Sequence, residues 1–152
     1  MIDVRTGLAS LMLALSLSSC LRAQDSLVQA VAGCWAVSMA PWRPKMAINA
    51  DSIYSTPPAR IELQTSRGTR MFEDRGWLVR PAPGVAPSIH GFAYFQPLGG
   101  DSIRIAWSTG FSGLTMRLVA RQDTLRGTAQ TFWDFGRRPQ TADVLLVRVP
   151  CH

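Results

Sequence analysis

The stretch VAGCWAVS, Val31–Ser38, sets a glycine, a cysteine and a tryptophan side by side at the head of an alternating run. A glycine supplies backbone freedom or room for a close approach. A tryptophan on a short strand supplies a large buried face. The cysteine between them points to the opposite side of that strand, because successive side chains alternate. Three different demands therefore meet within three residues, near the start of whatever folds.

What precedes this stretch is different in kind. Arg5 is followed by LASLMLALSL, Leu8–Leu17, an apolar run too short to span a bilayer and about right for the core of an export signal. LSSC, ending at Cys20, resembles a bacterial lipobox, which implies cleavage before Cys20 and lipid on that cysteine. An ordinary cut after Ala23 and a buried N-terminal helix are the alternatives. The chain is accordingly divided into a signal segment over 1–19, a tether over 20–30 and one domain over 31–152. That length suits a single core.

Export changes the reading of the cysteines, since disulfides persist outside the reducing cytosol. With Cys20 given to lipid, Cys34 and Cys151 remain, one at each end of the domain, as a candidate disulfide. Two separate buried thiols are the alternative. The net charge is +6, and the basic side chains are scattered, with Arg137 and Arg138 the densest pair. No stretch has the clustering of a nucleic-acid patch, so a solvated basic surface is expected and nucleic acid is not. Leu21 after Cys20 lacks the aspartate of an inner-membrane retention signal, which points to an outer-membrane lipoprotein facing the periplasm.

Beyond residue 30 the pattern is all-β. Ile103, Ile105 and Trp107 alternate with Ser102, Arg104 and Ala106, and Leu114, Met116 and Leu118 alternate with Thr115, Arg117 and Val119. STGFSG, Ser108–Gly113, and ARQDTLRG provide turns, which makes a three-strand meander ending in Leu125–Trp133. Further strands are predicted at Trp35–Met39, Arg60–Gln64, Gly68–Phe72, Gly76–Arg80, His90–Gln96 and Asp143–Val149. Two proline-rich connections, Ala40–Arg60 and Arg80–Ser88, separate strands, and a short strand near Ile53 is conceivable in the first. Glu62 falls on the solvent face, Glu73 and Asp74 in a turn, and none of the acids forms a catalytic pair.

With the strands placed, Gly33 and Trp35 form a G-x-W on the first strand, and this resembles the lipocalin and wider calycin pattern. The resemblance implies a small antiparallel up-and-down barrel of about eight to nine strands, whose tryptophan closes one end under an arginine from the last strand. Arg148 in VLLVRVPC matches that arginine. An avidin-like barrel shares the same G-x-W. If Cys34 sits opposite Cys151, then Val37 faces Arg148, and Trp35 lies one diagonal step from Arg148 on the same face.

No G-x-S-x-G, H-E-x-x-H, C-x-x-C or phosphate-cradling glycine loop occurs, so no catalytic or metal residue is assigned and no cofactor is expected. An enzyme using His90 with Asp134 has no motif behind it. The leading expectation is a lipid-anchored barrel binding a small apolar or amphipathic ligand, with Trp107, Phe132, Trp133 and Phe135 as candidate ligand contacts. The alternative is a protein-binding module, such as a protease inhibitor, built on a packed core. Empty against filled lumen separates them. Phe111, at the tip of TGFSG, is expected either to be exposed or to fold back.

Overall fold

The computed structural model describes residues 24–43, 57–69, 73–85, 91–133 and 139–152. Cys20, the signal segment, Ile53, His90, Asp134 and Phe135 lie outside them, as does the pair Arg137 and Arg138. Eight strands form a closed antiparallel barrel in chain order. They are β1 (Gly33–Met39), β2 (Arg60–Arg67), β3 (Trp77–Pro81), β4 (Phe92–Gly99), β5 (Ser102–Ser108), β6 (Ser112–Arg121), β7 (Thr124–Trp133) and β8 (Thr141–Val149). A 3₁₀ turn, Glu73–Arg75, lies between β2 and β3.

Alternation decides which face of each strand is interior. Ile103 and Ile105 are wholly buried while Arg104 between them is half-exposed, and Met116 and Leu118 are buried while Arg117 between them is exposed. An eight-strand barrel is just wide enough for its own side chains to fill, or for one small ligand. Here Trp35, Phe95, Leu114, Leu125 and Leu146 are 0% exposed, and Trp107 only 4%. These side chains fill much of the described interior, while the inward-facing Val37 and Met39 of β1 and Trp77 of β3 are only half-buried.

The predicted strands match these elements with one exception. Gly68 and Thr69, the described part of the Gly68–Phe72 expectation, are not strand. β2 instead runs on to Arg67 through an irregularity between Leu63 and Arg67. Gly68 then approaches Glu73 so closely that a Cβ there would meet the Glu73 side chain at 2.3 Å. The chain is turning at this point.

The stretch expected as a tether also differs. Residues 24–31 are helical, and Leu27, Val28 and Val31 join the main hydrophobic core. From residue 24 onward it belongs to the folded unit. Apolar residues at i, i+1 and i+4 place these three on one side of the helix, which covers the end of the barrel where β1 begins.

Candidate functional site

The capped end explains the opening triad. Gly33 has φ of 122°, a conformation that side-chain-bearing residues rarely adopt, and it carries the chain from helix into strand. It also leaves space for Arg148, whose Nη1 would lie 3.0 Å from an added Cβ. The Trp35 indole nitrogen donates to the Val31 carbonyl at 2.9 Å. Arg148 lies over the indole with its guanidinium carbon 4.4 Å from the ring centroid. It donates to the carbonyls of Ala32 at 2.8 Å and Ala30 at 2.6 Å, and pairs with Asp123 at 3.2 Å. The last carbonyls of a helix have no partners within it and form its negative end, so a guanidinium there both satisfies and neutralises them.

Cys34 faces the other way and forms a disulfide with Cys151 across a sequence separation of 117. The expected register is corrected by two residues. Trp35 stands directly opposite Arg148, and Cys34 opposite Val149. β8 stops at Val149, because Pro150 cannot donate to the ladder, and Cys151 reaches back from beyond the strand.

The four candidate ligand contacts are not gathered into one site. Trp107 pairs with Leu114 and points inward, whereas Phe132 pairs with Gly113 and lies on the outer face. The Trp133 backbone ends β7, and its side chain and Phe135 are outside the described residues. Phe111 is 65% exposed at the hairpin tip. Among the described residues no three His, Cys, Asp or Glu side chains cluster.

Two depressions on the outer wall are lined by described residues. One, of about 410 Å³, lies over β7, β8 and β1, with Arg126 and Asp143 at its rim and Leu145 and Val144 beneath. The other, of about 270 Å³, lies over β4, β5 and β6. Its floor is made of short side chains, Ala106, Ser108 and Thr115, its walls of Phe92, Tyr94 and Phe132, and its cationic end of Arg75 and Arg104. Phe132 lies across Gly113, where a Cβ would come within 2.7 Å of the ring. Glycine is what lets that ring lie down on the sheet.

Sequence reasoning missed this groove. Its signal is the outer row Phe92, Ser108, Gly113, Phe132, a small-residue floor between two aromatics, visible only once cross-strand partners are known.

No protein-family model matches this chain, and neither a curated protein nor a solved structure matches it at a significant level.

Proposed function

We propose that this chain is an exported, non-catalytic binding module of calycin type, anchored by lipid at Cys20, in which a packed barrel serves as scaffold for contacts made by its outer surface. The packed core carries this reading: Trp35, Phe95, Leu114, Leu125 and Leu146 are fully buried, so these side chains occupy space that a lumen ligand, usually needing about 300 Å³ or more, would require. It favours the protein-binding alternative over a lumen carrier. The helix, G-x-W and Arg148 arrangement supports the calycin part. The Cys34–Cys151 disulfide supports export, because such a bond persists outside the reducing cytosol.

The test is native, non-reducing mass spectrometry of the full chain exported to a bacterial periplasm under its own leader. The expected species is the polypeptide from Cys20 onward, two hydrogens light for one disulfide, with an N-terminal lipid and nothing else. N-phenyl-1-naphthylamine, a neutral apolar dye, should show no saturable fluorescence gain. A releasable small-molecule adduct, or saturable dye binding, would overturn the scaffold reading.

A further inference from the structure

Four consecutive strands, β4 to β7, contain no aspartate or glutamate, while Arg104, Arg117, Arg121 and Arg126 lie on them. Arg121 ends β6 and pairs with Asp101 of the adjoining turn at 2.8 Å. Arg104 and Arg117 are placed differently. They stand directly opposite each other on the outer face of β5 and β6. Like charges in that relation repel and destabilise a sheet unless something negative lies between or over them.

Arg104 is held in position by neutral partners, and no ion pair to it is formed among the described residues. One of its terminal nitrogens donates to Gln96 Oε1 at 2.6 Å and lies 3.4 Å from the Tyr94 hydroxyl. Its Nε is buried and has no hydrogen-bond partner among the described residues. The same guanidinium forms one end of the 270 Å³ groove, next to Tyr94 and Ala106.

We infer that this groove is the contact site for an acidic segment of a partner protein, with a carboxylate bridging Arg104 and Arg117 and an adjacent apolar side chain resting on Ala106 between the rings of Phe92 and Phe132. The inference rests on the scaffold reading above and names the surface that reading requires. Charge complementarity selects the occupant: the chain carries net charge +6, and the strands beneath the groove hold no acid. Arginine and tyrosine beside apolar wells are the residues that dominate protein–protein contacts. The other depression is a poorer match, since Arg126 and Asp143 at its rim balance each other. Strand addition is unavailable to the partner, because a closed barrel presents no free edge.

The test titrates the full chain with the peptide acetyl-EEFEE-amide and with acetyl-QQFQQ-amide, by isothermal calorimetry at low salt. The acidic peptide should bind at least tenfold tighter. Arg104→Gln should weaken it about tenfold, and Arg117→Gln about threefold. Arg121→Gln, which removes the same net charge elsewhere, should change it less than twofold. Ala106→Leu fills the groove without altering charge or the Arg104 bonds, and should weaken binding fivefold or more, with an unchanged near-ultraviolet spectrum verifying the fold. Equal affinity for the two peptides, or equal losses from Arg104→Gln and Arg121→Gln, would overturn the site. So would binding to vesicles of phosphatidylcholine and phosphatidylglycerol without binding to the acidic peptide, which would make the face a membrane contact. Saturable N-phenyl-1-naphthylamine binding that survives Ala106→Leu would instead sink the scaffold reading alone.

Discussion

Strands β1 and β8 pair at six positions, from Cys34 opposite Val149 to Met39 opposite Val144, whereas β3 and β4, neighbours in the chain, pair only at Trp77 with Phe95 and Leu78 with Tyr94. The first seam also carries a disulfide, and the bridge between Arg43 and Thr141 extends it beyond β1. The second is held chiefly from the side. Glu73, 2% exposed, pairs with Arg80 on β3 at 2.7 Å, and Gln96 on β4 donates to the Arg75 carbonyl of the same 3₁₀ turn. The difference follows from chain connectivity. Joining the two ends of a domain confronts a large loop-closure entropy with no turn to offset it, and there the ladder is long and covalently fastened. Joining consecutive strands needs less, so a short ladder with side-chain props suffices.

The largest expected effect is on the fastened seam. Replacing both cysteines, Cys34→Ser with Cys151→Ser, should lower stability by about 4–5 kcal/mol in the chain-entropy picture, read from urea unfolding. A loss under about 1 kcal/mol would mean that the ladder closes the barrel unaided. Trp35→Ala, which removes the indole from beneath Arg148 and leaves a cavity, should cost about 3–5 kcal/mol in the same assay. Hydrogen exchange should then show faster exchange of amides in residues 24–31, since their cap has lost its support.

Arg80→Gln acts on the other seam. It removes one charge partner of the buried Glu73 and should cost about 1–3 kcal/mol, with exchange rising in β3 and β4 and not in β1 and β8. Equal rises on both seams would show that the barrel opens as one unit and would erase the contrast. The smallest effect belongs to Arg121→Ala. Its pair with Asp101 is 71% and 62% exposed, so thermal unfolding should move by no more than about 0.5 kcal/mol.

Much of the barrel was legible because its physics is local. Alternation in β5 and β6 follows from the two-residue period of a strand, and the turns at Ser108–Gly113 and Gln122–Asp123 follow from residues that tolerate tight backbone. Cys34 and Cys151 were legible as a candidate pair at the two ends of the domain, and Gly33, Trp35 and Arg148 through the resemblance of the G-x-W to the calycin pattern. Their register was misjudged by two because the cysteine was taken to lie within the ladder, and Pro150 puts it outside. The helix over 24–31 was missed because only three apolar residues mark it, and its stability comes from the barrel end it covers.

Other features had no local signature. Glu73 in EDRG reads as an exposed turn acid, and it is buried because the connection folds back over Arg80. Trp107 and Phe132 read as one aromatic group, yet lie on opposite faces of the wall, because facing depends on which residue of the neighbouring strand each one meets.

The letters alone determined an all-β chain, a candidate pairing of its two terminal cysteines and the partition of interior from outer face, because those depend on side-chain period and on a few chemically singular positions. The barrel and its Trp35–Arg148 closure came through the calycin resemblance. Tertiary structure decided which side chains pack together in the interior, how β8 slides along β1, and which outer residues stand together as Arg104, Arg117 and the Ala106 groove. Cross-strand register is set by the closure of the whole barrel. No single strand contains that information.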